Sequence, residues 1–140
     1  MKKVLIATHG RFAEGIAAAA EIILGKQENV FFLNAYVDET PFHQQIEEFL
    51  QQQVSEDDTL FILTDLFGGS VNQKALRYLS GDRVKIITGI SLPLVLEIIM
   101  LTEADSTPDK IKEIVSSAKE QIIYVNDELL KINKQDDFDL

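Results

Sequence analysis

The chain contains no cysteine. Disulfides and thiolate metal sites are therefore excluded, and a reducing compartment suits it. Positive charge is scarce: 13 Lys and Arg stand against 23 Asp and Glu, a formal net charge of −10. Nucleic acid and anionic membrane surfaces select a basic footprint that this chain lacks, so neither is an expected partner. Long apolar runs are also missing. Nothing approaches the roughly 20 apolar residues of a membrane-spanning helix. The first apolar run stops at Thr8-His9, short of the roughly 7–15 residues of a secretory h-region. A cytoplasmic protein is expected. No GxxxxGK[ST] segment is present, which argues against a nucleotide-binding P-loop. The acidic pairs Glu47-Glu48 and Asp57-Asp58 lack the convergent spacing of a metal site. Histidine is rare as well, with only His9 and His43.

What the chain does have is enough apolar material for one core. Its 140 residues are 46% hydrophobic, which suits a single domain without disorder. Residues 3–8 (KVLIAT) form a short β-branched run that fits a buried strand. Phe12, Ile16, Ala19, Ala20 and Ile23 follow at helical spacing, and Gly25 is a natural stop. A second strand is expected over 29–37 (NVFFLNAYV), then a helix starting at Pro41 with Phe42, Ile46, Phe49, Leu50 and Val54 inward. Residues 59–65 (TLFILTD) read as a central strand. A loop over 66–69 leads to a helix over about 70–79, with Ala75, Leu76 and Leu79 inward and Ser70…Gln73 as a capping box. A fourth strand is expected over 83–88 and an apolar helix over 93–101. Asp105-Ser106-Thr107-Pro108 caps another helix, with Ile111, Ile114, Val115 and Ala118 inward. Residues 121–126 (QIIYVN) are β-rich and read as a fifth strand, and the acidic end QDDFDL as a frayed tail.

Strand–helix alternation four times over predicts an α/β fold. It is a three-layer α/β/α sandwich around a four-stranded parallel sheet of order 2-1-3-4, with right-handed crossovers. Open sheets of this kind place their chemistry beyond the carboxyl ends of the strands. Strand one ends in Thr8-His9-Gly10 and strand three in Asp65, followed by Leu66-Phe67-Gly68-Gly69-Ser70. With strands one and three adjacent, His9 and Asp65 share one crevice. A neutral imidazole is a nucleophile, and a carboxylate on its other N–H fixes the tautomer and stabilises the charge that develops. No Ser or Cys nucleophile is evident beside it, so His9 itself is the candidate nucleophile. Gly68-Gly69-Ser70 opens a helix N-terminus, where N–H groups and the dipole favour an anion. The combination suggests a histidine that takes and gives up a phosphoryl group. Each part alone has a plainer reading as a turn residue, loop acid or cap; their convergence on one edge favours chemistry. His43, beside an apolar helix face, is expected to be partly exposed and uninvolved. Arg11 and Lys74 are candidates to lend positive charge. The acids are expected to lie away from the strand ends.

THG after the first strand, the helix ending in LG, TDLFGGS after the third strand and GISLPLVLE after the fourth occur together, in order. This set resembles the mannose-type IIA domain of the bacterial phosphoenolpyruvate-dependent sugar phosphotransferase system, the mannose/fructose/sorbose family, over about residues 1–125. The resemblance implies a phosphotransfer domain over 1–126, with 127–140 as a C-terminal extension or tail. It implies a homodimer in which a C-terminal strand adds antiparallel to the sheet by exchange between subunits; residues 121–126 are the candidate. His9 matches the phosphorylated histidine, Asp65 the acid that hydrogen-bonds it, and Ser70 the serine beside the phosphoryl group. Gly10, Gly68 and Gly69 complete the phosphoryl-binding loop. The implied donor is the histidine-containing phosphocarrier protein and the implied acceptor a IIB component, with membrane IIC and IID components reached only indirectly. No metal, nucleotide or other cofactor is needed. Relatives commonly follow the Gly-Gly-Ser with Pro-Phe-Asn, whereas Val71-Asn72-Gln73 stands here, which bears on the subfamily more than the chemistry. Two other readings remain open on the same fold: the phosphoryl-carrier subunit of a dihydroxyacetone kinase, and a non-catalytic flavodoxin-like regulatory module.

Overall fold

Two strands, buried on both faces, set the frame. In a computed structural model, residues 1–67, 70–77 and 81–138 are described, with backbone only for 70 and 134–138. β1 (Lys2–His9) and β3 (Thr59–Thr64) pair in parallel at the centre, from Lys2 opposite Thr59 to Ala7 opposite Thr64. β2 (Val30–Ala35) flanks β1, and β4 (Val84–Thr88), preceded by a 3-10 turn at Gly81–Arg83, flanks β3. The sheet order is 2-1-3-4, with every pairing parallel. Near-continuous apolar sequence in β1 and β3 follows from this position, because helices cover both faces.

Alternation along the strands divides the core into two halves. Val4, Ile6, Phe61, Leu63 and Ile87 meet α1 (Phe12–Leu24), α4 (Leu92–Met100) and α5 (Pro108–Lys119). Leu5, Ala7, Leu60 and Ile62 meet α2 (Phe42–Gln53) and α3 (Ser70–Leu76). Helix starts follow local chemistry. The Thr8 hydroxyl accepts the Ala13 N–H at 2.7 Å, and Thr107 accepts the Lys110 N–H ahead of Pro108 at the first helical position. α1 stops where Gly25 takes φ +82° and donates to the Glu21 carbonyl. At α4's far end the buried Lys2 ammonium donates to the carbonyls of Ile98, Ile99 and Leu101 at 2.5, 2.7 and 2.5 Å. Burial lowers its pKa to about 8, but the helix's negative end keeps it charged at neutral pH.

Several sequence expectations need correction. α1 turns Ala13, Ile16 and Ala20 inward, leaving Phe12 and Ile23 largely exposed. Small alanines permit closer approach of the helix to the sheet, and they set its phase. β2 ends at Ala35, two residues early, because Tyr36 adopts φ +65°, which no strand can continue. In α3, Val71 and Ala75 are buried while Leu76 is exposed; Leu79 lies outside the described residues. Residues 121–126 do not form a fifth strand in this chain. Gln121 turns, 122–124 are irregular, and α6 begins at Val125 and runs to Phe138. Asp127 and Glu128 in the first turn favour that helix start. β-propensity alone does not make a strand; pairing with a neighbour does. The expected frayed end is therefore helical over most of its length.

Candidate functional site

The carboxyl ends of the strands converge on His9. β1 delivers it, and Gly10, at φ +61°, turns the chain away while its N–H donates to the Ala35 carbonyl at 2.8 Å. The next strand over delivers Asp65, directly after β3. Asp65 holds the histidine at two points. Its Oδ2 accepts the His9 backbone N–H at 3.1 Å, and Nδ1 lies 3.1 Å from both Oδ1 and Oδ2. An ionised carboxylate only accepts, so this contact suits a proton on Nδ1, and in the neutral ring the lone pair is then on Nε2. The His9 side chain is 38% exposed and that of Asp65 18%. The imidazole is thus part-exposed while its carboxylate support is more enclosed.

The surroundings divide into anchors and rim. The Thr64 hydroxyl donates to Asn72 Oδ1 at 3.2 Å, both residues being buried, which ties the first turn of α3 to β3 next to Asp65. Ser70 begins α3; its side chain, and Gly68 and Gly69, lie outside the described residues. The Tyr36 ring stacks on the His9 imidazole, with centroids 5.5 Å apart and planes at 29°, and Lys74 Nζ lies 5.6 Å from the Tyr36 centroid. Arg11 is exposed and pairs with Glu14 on its own helix. His43 is exposed in the first turn of α2. Phe12, Val37, Leu66 and Phe67 are exposed apolar residues flanking these strand ends. The expectation that acids avoid this edge holds only in part, since the exposed Asp38 and Glu39 follow β2 closely.

Two site residues were not singled out from sequence: Tyr36 and Asn72. Tyr36 was readable from the strand-end rule had β2 been ended two residues earlier. Asn72 had a weaker signal, a polar residue at a position that turns inward. Among the described residues, no group of three or more His, Cys, Asp or Glu could hold a metal ion, and no helix is long and apolar enough to cross a membrane. What remains is an imidazole anchored at Nδ1, with no hydrogen bond at Nε2 among the described residues, near the start of α3. Chemically this can accept an electrophile at Nε2 while Asp65 stabilises the resulting positive ring.

Residues 3–115 match the family model of the phosphotransferase system (PTS) fructose IIA component. The chain is 31% identical over 111 residues to a mannose-specific EIIAB component of the same system from Escherichia coli, covering 77% of this chain. It spans about a third (34%) of that relative's length. A solved structure from Klebsiella pneumoniae, described as a phosphoenolpyruvate-dependent sugar phosphotransferase system permease, superposes with a TM-score of 0.83 at 36% identity, covering 91% of this chain and 93% of its own. A IIA protein associated with the fucose utilization operon of Streptococcus pneumoniae superposes with a TM-score of 0.75 at 32% identity, covering 91% and 96%.

Proposed function

Because this chain belongs to the fructose IIA component family of the phosphotransferase system, we propose that it carries a phosphoryl group on His9 between the histidine-containing phosphocarrier protein and a IIB component during sugar uptake. The observation that carries this reading is the anchoring of Nδ1 on Asp65, which makes Nε2 the nitrogen available for transfer at the strand ends. In the forward step the Nε2 lone pair attacks phosphorus. The P–N bond of the donor's phosphohistidine breaks, and its electron pair returns to the donor imidazole. Asp65 accepts the Nδ1–H bond throughout and stabilises the charge on the phosphorylated ring. Passing the group to a IIB component repeats the exchange with His9 as the leaving group. Ser70, which begins α3, is assigned the stabilisation of the phosphoryl group, and Gly10, Gly68 and Gly69 are assigned with it to phosphoryl binding. Neither step uses a metal, nucleotide or other cofactor. The exposed Phe12, Val37, Leu66 and Phe67 suit docking of protein partners.

The same reading makes the protein cytoplasmic and assigns 1–126 to the phosphotransfer domain and 127–140 to an extension. It also makes the chain a homodimer in which residues 121–126 of one copy, irregular over 122–124 and helical from Val125 in the single chain, rearrange to add antiparallel to β4 of the other. β4 is an open edge of the sheet, and Ile122, Ile123, Tyr124 and Val125 are exposed in the single chain. Contact with the membrane IIC and IID components is through IIB alone. The test is a reconstituted chain of phosphoenolpyruvate, enzyme I, phosphocarrier, this protein and a IIB component, with radiolabel followed on each protein. Label should reach IIB only when this protein is present. Direct transfer from phosphocarrier to IIB, or label lost from this protein to a nucleotide-binding partner, would contradict the assignment.

A further inference from the structure

Tyr36 is the non-glycine residue with positive φ among those described, at +65°. That conformation costs energy in a bulky residue, and glycine would adopt it without strain. Strain of this kind, held at a site, points to a use for the side chain. The ring of Tyr36, half-exposed, lies 5.5 Å from the His9 imidazole at 29°. Asp65 fixes where Nδ1 sits within the plane of the imidazole; it does not fix the tilt of that plane. A second ring stacked on the face does. Lys74 Nζ, 5.6 Å from the Tyr36 centroid, is within cation–π range of about 6 Å.

We infer that Tyr36 is a positioning residue, fixing the tilt of the His9 imidazole by stacking, and that Lys74 holds Tyr36 in place through the ring's π face. The catalytic part of this role rests on His9 being the phosphoryl acceptor. The stack itself does not, so two readouts separate them. Phosphoramidate is a small phosphoryl donor that needs no docking surface, and the His9 ring protons report stacking by their ring-current shift in NMR spectra. In Tyr36→Leu the ring-current displacement should vanish. The rate constant for His9 phosphorylation should fall about tenfold or more, both with phosphoramidate and at saturating phosphocarrier, with KM for the phosphocarrier little changed. Tyr36→Phe should restore most of that loss. Tyr36→Gly should be more stable than Tyr36→Leu, because it relieves the backbone, yet transfer as slowly. Lys74→Met should give a smaller loss that Lys74→Arg recovers. Equal phosphoramidate rates in wild type and Tyr36→Leu would overturn the positioning role, whatever the phosphocarrier does. A rise in KM alone would make Tyr36 a docking contact and overturn it too. Failure of the phosphocarrier to label wild-type His9 would sink the transfer reading, and the phosphoramidate rates and ring-current shifts would still decide the stack.

Discussion

Asp58 and Asp65 bracket the same strand, and each meets a nitrogen of β1. Asp58, just before β3, is 6% exposed in its side chain, bonds Lys3 Nζ at 2.9 Å and accepts the Ser55 N–H at 2.9 Å. Asp65, just after β3, is three times as exposed and bonds a part-exposed imidazole. The Ser55 N–H first, and then the Lys3 side chain, hold the Asp58 carboxyl well below the usual carboxylate range. Similar contacts thus serve different ends. Where the partner is a largely enclosed lysine, the pair locks the amino end of the sheet. Where the partner is a part-exposed imidazole, the pair suits the nucleophile proposed above. The two ends should therefore fail differently: damage at the amino end should unfold, and damage at the carboxyl end should leave a folded but inactive protein.

The largest effect is expected at His9. His9→Ala should abolish phosphoryl acceptance while Tm stays close to wild type, checked by radiolabelling beside calorimetry. Asp65→Ala comes next: transfer should slow by about 10²-fold or more as the imidazole loses its orienting carboxylate, with circular dichroism unchanged. Wild-type rates in that variant would remove Asp65 from the mechanism. Asp58→Asn should show the opposite pattern, losing about 2 kcal/mol in urea unfolding at pH 7 with transfer intact. Its sign with pH follows from the depressed native pKa. The carboxylate's contribution is present above the unfolded value of about 3.9 and is lost as pH falls below it, so wild type and variant should converge in acid. A gap that widened on acidification would break the contrast between the two ends. The smallest effect is Ser70→Ala, expected to weaken phosphoryl stabilisation by about 1–2 kcal/mol if one hydrogen bond is lost, read as a lower level of phosphorylated protein at equilibrium with the phosphocarrier.

Much of this contrast was legible before the structure. KVLIAT and TLFILT announce central strands because residues buried on both faces must be apolar without alternation. The strand-end rule then pairs His9 with Asp65 from fifty-six residues away. What escaped did so for local reasons. The alanine-rich α1 offers several faces of similar hydrophobicity, and packing distance chose the one with Ala13, Ile16 and Ala20. NVFFLNAYV runs β-rich through Tyr36, and nothing in composition marks a left-handed residue there. QIIYVN has strand-forming residues, but a strand needs a pairing partner, and pairing is a property of the assembled sheet. Gly68 and Gly69, read as half of the phosphoryl loop, lie outside the described residues.

The central claim is that His9 is the group that reacts. Intact-mass measurement after incubation with phosphoenolpyruvate, enzyme I and phosphocarrier tests it most directly. Wild type should gain a single increment of about 80 Da, the mass of one phosphoryl group, that acid removes, and His9→Ala should gain none. An undiminished, acid-labile increment in His9→Ala would contradict the account.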